Sequence, residues 1–199
     1  MKYNLVQTLS GAALVLILAG CNGQDAQENP MNNNDKAAAE QFKQLMRRPD
    51  IGEAAARYDE MYRKIREKLT NAVPTLHWEQ TNPPGRAACS TEFGAIDAAG
   101  RSDAQERGLG NWTAHGNLPD ARWNEAVSIV GGVARSYGFG SGPTVVKNNP
   151  SDHYVTFHDS YGGELVFGTA VNTTLLVRTG CHLTTEAKKR GSLAPTPSY

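Results

Sequence analysis

Tyr154-Val155-Thr156-Phe157-His158-Asp159 is the stretch from which the fold can be read. Its apolar and polar side chains alternate, and a period of two marks a strand with one face buried. Val155 and Phe157 are therefore expected to face a core, with Tyr154, Thr156 and His158 facing away. Working outward, residues 144–147, 164–169 and 173–178 also read as strands. They are separated by Asn148-Asn149-Pro150, Tyr161-Gly162-Gly163 and Val171-Asn172, and turns this short join antiparallel neighbours. In the last strand Leu175 and Val177 share a face, which Cys181 continues.

Upstream of Gly138 the period is helical. Trp123, Ala126, Val127, Val130, Ala134 and Tyr137 recur at three- and four-residue steps, which predicts a sheet-covering helix over 119–137 with Pro119 in its first turn. Gly131-Gly132 weakens its middle unless something packs closely there. A longer helix is predicted over 51–72, capped by Asp50. Its stripe is Ala54, Tyr58, Met61, Ile65, Leu69 and Ala72, and Glu60 and Lys64 form a favourable pair on the charged face. Pro74 ends this helix, so strands are expected near 76–78 and at 111–115, with a turn at Asn82-Pro83-Pro84-Gly85. Two amphipathic helices and several strands with one alternating face imply an α+β fold. We expect a two-layer domain in which the two main helices cover one face of an antiparallel sheet.

The N-terminus carries a different signal. Lys2 precedes an apolar run from Leu5, interrupted by Gln7, Thr8 and Ser10, that closes on Leu18-Ala19-Gly20-Cys21. The run is shorter than the ~20 residues of a membrane-spanning helix and ends as a bacterial lipoprotein signal does. Residues 1–20 are thus expected to be removed, with Cys21 carrying a diacylglycerol at the outer face of the cell membrane. Two acyl chains suffice for stable anchoring. Residues 21–50 read as a polar, disordered tether, roughly 20 Å end to end over its first part. That tether has a possible short helix over 36–48, with Ala38, Phe42, Leu45 and Met46 on one edge. Residues 51–184 form the single expected domain, and 185–199, polar with Pro195 and Pro197, read as a disordered tail.

With Cys21 lipidated, Cys89 and Cys181 remain of three cysteines. An even pair in an exported chain is expected to form a disulfide in preference to two buried thiols. By chain entropy it would contribute roughly 4.6 kcal/mol, less any strain. Formal net charge is zero, from 20 basic and 20 acidic residues, and there is no dense basic block, which argues against nucleic acid as a partner.

Taken together, the chain from Ile51 to Leu183 resembles the LppA-like lipoproteins of mycobacteria and related actinobacteria. The resemblance rests on Glu53-Ala54-Ala55, Val73-Pro74 followed by Trp78, Cys89, the segment from Trp123 to Val130, Tyr137-Gly138 and Thr179-Gly180-Cys181. It implies a surface lipoprotein without an assigned reaction.

No catalytic or cofactor motif accompanies it. Gly138-Phe139-Gly140-Ser141-Gly142 looks like a phosphate loop or nucleophile turn, but it follows a helix and lacks the lysine, so it reads as a helix cap and hairpin entry. His153 and His158 are five apart on a strand and point to opposite faces, and His77, His115 and His182 lack ligand spacing, so no metal is expected. The functional expectation is a membrane-anchored, non-catalytic binding module for an envelope protein, lipid or cell-wall ligand. Its working surface would be the sheet face bearing Tyr154, Thr156 and His158, or the rim near Trp112 and Tyr161. The alternatives are a hydrolase with an unrecognised site and an assembly factor for another envelope protein.

Overall fold

The computed structural model describes residues 33–196, apart from Ser90, Ala99 and Ser141. The expected lipoprotein signal and Cys21 lie outside the described residues. No described helix is long and apolar enough to cross a membrane.

Helix α2 (Ile51–Ala72) begins with a full capping box: Asp50 accepts from the Glu53 amide while the Glu53 side chain accepts from the Asp50 amide, each at 2.9 Å. Its buried stripe is wider than the expected one. Besides Tyr58, Met61, Ile65 and Leu69 it includes Tyr62, whose hydroxyl donates to the Leu175 carbonyl at 2.8 Å. The Glu60–Lys64 pair forms at 2.8 Å on the exposed face, where such pairs contribute little. Helix α4 (Asp120–Ser136) follows Pro119, which sits one residue earlier than expected, at the N-cap.

These two helices pack on one face of an antiparallel sheet. Its path runs β1 (Trp78–Asn82), β4 (Asn111–His115), β8 (Asn172–Arg178), β7 (Glu164–Thr169), β6 (Asp152–His158) and β5 (Thr144–Asn149). A ribbon of β2 (Gly85–Ala87) and β3 (Ala104–Gly108) joins β8, and β3 also pairs β9 (His182–Leu183). The α+β, two-layer expectation is what the structure shows. Val155, Phe157, Leu165, Phe167, Leu175 and Val177 project from the covered face into the main core. Trp123 of α4 stacks on Phe167 at 5.1 Å and on His153 at 4.9 Å between centroids, tying the helix to two strands.

Two parts depart from the sequence reading. Helix α1 (Asn33–Met46) starts within the expected tether and docks, burying Ala38, Phe42 and Leu45. Phe42 and Leu45 belong to a second, smaller core with Phe93, Ile96, Cys181 and Leu183, so the folded unit reaches well upstream of Ile51. At the other end, residues 185–190 are not a frayed tail. They form α5 (Thr185–Arg190), capped by the Thr184 hydroxyl and closed by Gly191 in the left-handed conformation, with Ala187 in the second core. Between β2 and β3 a 3-10 turn (Thr91–Phe93) and the short α3 (Gly94–Asp97) supply Phe93 and Ile96. Cys89 and Cys181 are joined by a disulfide beside that core, with Cα atoms 5.3 Å apart.

The glycine pair in α4 is explained by packing. A Cβ on Gly131 would come within 3.0 Å of the Phe157 ring, whereas one on Gly132 would meet nothing within 4 Å. Gly131→Val should therefore destabilise the fold by about 1–3 kcal/mol in urea denaturation, through overpacking. Gly132→Ala should stabilise it by up to about 1 kcal/mol, through helix propensity alone.

Candidate functional site

The two main helices cover one side of the sheet; the other side presents the half-buried Tyr154, Thr174 and Leu176 and the exposed His158. The register places its side chains in rows across the strands. One row is Lys147, Tyr154, Gly168, Thr174 and Thr113; the next is Thr144, Thr156, Val166 and Leu176; a third is His158, Glu164 and Arg178. The missing side chain at Gly168 decides the local shape. A Cβ there would lie 3.2 Å from Cδ2 of Tyr154, so the tyrosine ring is laid over the glycine of the neighbouring strand. A shallow cleft of about 650 Å3 opens at this point, lined by Tyr154, Gly168, Thr174 and the exposed Val146 and Val171. A smaller hollow of about 160 Å3 on the same face is lined by Leu109, Val166 and Leu176. Charge is confined to the margins: Lys147 pairs with Asp152, and Arg178 bridges Glu164 at 2.7 Å and Glu106 at 3.7 Å.

The residues singled out from the sequence separate here. Tyr154 is half-buried at the cleft and His158 is exposed on the same face. Thr156 also lies on that face but is only 6% exposed, in register between Thr144 and Val166. Trp112 is half-buried. It packs on the covered side, where the Arg66 guanidinium stands 3.7 Å above its ring. His153 and His158 do take opposite faces: His153 is buried, bonded to Asn148 at 2.8 Å and Asp120 at 3.1 Å. Among the described residues no group of three His, Cys, Asp or Glu side chains converges as metal ligands.

Sequence reasoning passed over one polar cluster, formed where α2, the 159–163 turn and β9 meet. Asp159 Oδ1 accepts the amides of Tyr161 at 2.9 Å and Gly163 at 2.7 Å, while Oδ2 accepts a short hydrogen bond from Tyr58. Burial, reinforced by that bond, pushes the Tyr58 phenol far above its ordinary pKa, so it stays a donor. His182 is fully buried; its Nδ1 lies 2.8 Å from the Pro49 carbonyl, which makes Nδ1 the protonated nitrogen. Its Nε2 is buried without a partner. Ser160 lines the same cavity but makes no hydrogen bond to that nitrogen, so no nucleophile–base pair is formed. Only the helical step from Ala54 to Tyr58 signalled any of this in the sequence, and it signalled core.

A family model described as "Lipoprotein confined to pathogenic Mycobacterium" matches residues 26–185. The chain belongs to the LppA family. Among solved structures, LppA from Mycobacterium tuberculosis superposes with a TM-score of 0.64 at 16% identity, covering 81% of this chain and 95% of that one. A DUF4853 family protein from Actinomyces odontolyticus superposes with a TM-score of 0.52 at 14% identity, covering 76% and 78%. No curated protein sequence matches the chain. At these identities the two structures support a shared fold and nothing finer.

Burial lowers the pKa of His182 from its usual value near 6.5, with the neighbouring Arg48 and Lys188 charges adding to the effect. The sign follows from proton binding. Below about pH 6.5 the unfolded chain binds a proton at this position that the folded chain resists, so stability falls as pH falls. The melting temperature should drop between pH 7 and pH 5, and His182→Gln should drop less over the same interval. An equal slope in the two proteins would assign the dependence to other groups.

Proposed function

We propose that this LppA-family chain is a lipoprotein anchored through Cys21 at the outer face of the cell membrane, and that it works as a non-catalytic binding module. The family description supports a lipoprotein, and the small residues before Cys21 supply the processing pattern. The observation that carries the binding reading is the uncovered sheet face, with the Tyr154 ring laid on Gly168 between exposed Val146 and Val171. Apolar surface flanked by hydroxyls and amides on rigid strands suits an envelope molecule with an apolar flank and hydrogen-bonding groups. Hydrolysis would require a nucleophile held by a base. The polar cluster around Asp159 does not provide that pair, which favours binding over the enzyme alternative.

Anchoring and binding are tested separately. Cys21→Ser should leave the precursor uncleaved or release it from membranes, read by metabolic labelling with a radioactive fatty acid. Continued acylation and cleavage at the same place would end that reading. For binding, the Tyr154→Ala/His158→Ala double variant should lose at least tenfold of whatever envelope component copurifies with the wild-type protein, quantified by native mass spectrometry. Its melting temperature should stay within a few degrees of wild type. Equal retention by both proteins would remove the open face from consideration.

A further inference from the structure

Two arginines stand directly opposite each other in the β2–β3 ribbon, Arg86 against Arg107 in antiparallel register. Their Cβ atoms are therefore about 4.5–5.5 Å apart, a separation at which like charges destabilise a sheet. Cations nearby have partners: Arg101 pairs with Asp35, Arg190 with Asp103, and Arg178 with Glu164 and Glu106. Among the described residues neither Arg86 nor Arg107 forms a side-chain hydrogen bond or an ion pair. The bonds that Arg107 makes to Thr179 are those of its backbone. Glu106, its neighbour along β3, alternates to the opposite face, where it meets Arg178.

Both arginines line a cavity of about 470 Å3 between the ribbon, the first turn of α2 and the start of α5. That volume lies within the range of ligand clefts. Both side chains can be reached from solvent, since Arg86 is exposed and Arg107 half-buried. Neutral donors stand around them: the hydroxyls of Ser102 and Thr184 and the amide of Gln105. Thr184 Oγ1 accepts from the Ala187 amide, which leaves its own proton to give. The end of α2 supplies wall and not charge, because Asp50 already caps it. The acid lining the cavity, Glu186, is exposed.

A cation here would meet two guanidinium groups that nothing offsets. A carboxylate has two oxygens, which a single guanidinium fork satisfies. A phosphate monoester carries three terminal oxygens and about −1.5 to −2 charges at pH 7, enough for both forks and a hydroxyl. We propose that the Arg86–Arg107 cavity binds a phosphate monoester group, held between the two guanidinium forks and bonded by Ser102, Gln105 and Thr184. Binding neutralises the like-charge pair, and the remaining volume takes the molecule that carries the phosphate. The site is separate from the open sheet face and does not rest on what that face holds.

The test uses the full chain, labelled with nitrogen-15, in dodecyl maltoside at low salt. The probes are inorganic phosphate, glycerol 3-phosphate, dihexanoyl phosphatidic acid and succinate. At least one phosphate probe should give saturable amide shifts at Gly52, Arg86, Ser102 and Arg107, with succinate, a dianion without phosphate, at least tenfold weaker. A phosphatidic acid bound tenfold more tightly than glycerol 3-phosphate assigns the phosphate to a lipid headgroup, and equal affinities assign it to a soluble ester; either upholds the site. Arg86→Gln and Arg107→Gln should each weaken the best phosphate probe at least tenfold, and Glu186→Gln should tighten it. Arg63→Gln, which removes an exposed cation of α2 outside the cavity, should leave it unchanged. The proposal is overturned if no phosphate probe saturates, if succinate binds as tightly, if Arg86→Gln binds like wild type, if Glu186→Gln weakens binding, or if Arg63→Gln weakens it as much as Arg86→Gln. Should Arg107→Gln misfold by near-ultraviolet circular dichroism, Arg86→Gln decides alone, since that side chain is exposed and its loss leaves no partner unpaired.

Discussion

The fold depends on one asymmetry: the sheet is buried on a single face. Helices α2 and α4 lie over Phe157, Leu165, Phe167, Leu175 and Val177, and burying an aliphatic or aromatic side chain of this kind yields ~1.5–3 kcal/mol. The covered face therefore supplies most of the hydrophobic stabilisation, and it dictates the alternating burial along β8 and the first half of β6. The opposite face is left to be filled by hydroxyls, a tyrosine over a glycine, and ion pairs at the margin. Both the candidate cleft and the pattern by which the fold can be read follow from this one-sided covering.

Legibility in the sequence tracks that asymmetry. Where one face is buried, the period is visible, and β4, β7 and β8 fall at or within one residue of the positions read from alternation; β5 extends two residues farther and β6 is offset by up to two. The charged outer face of α2 likewise exposes its stripe. Tyr62 was missed because a tyrosine beside Met61 widens the stripe without altering its period, and its burial depends on a backbone carbonyl in β8. The second core was illegible for a different reason. Phe42, Phe93, Cys181 and Ala187 come from four separate segments, each too short to show a period. Only long-range packing makes α1 and α5 worth forming. Thr156 shows the limit within a strand: alternation gives the face of a side chain, but its neighbours decide whether it is reachable.

The short segment from Thr179 to Leu183 couples these parts. Gly180 passes so close to the 159–163 turn that a Cβ would lie 1.7 Å from the Tyr161 carbonyl oxygen, so only glycine is accommodated. Arg48 then binds carbonyls on both sides of that contact, Lys188 of α5 donates to the Arg48 carbonyl, and the disulfide fixes Cys181 to Cys89. The α1–α2 junction, the turn bearing Asp159 and the end of the sheet thus form one connected corner. The cavity lined by His182 lies in this corner, where several constraints hold its walls, and not in a free-standing loop.

That rigidity bears on the choice between catalysis and binding. A general base needs a lone pair facing a removable proton, at hydrogen-bond reach. Asp159 has its oxygens committed to two backbone amides and a tyrosine, so it acts as a scaffold for the turn and holds Tyr58 as a donor. His182 has the lone pair, yet its one proton is held toward Pro49 and no side-chain hydroxyl is bonded to Nε2. Proton transfer would require the corner to rearrange against the Gly180 contact, the Arg48 bonds and the disulfide together.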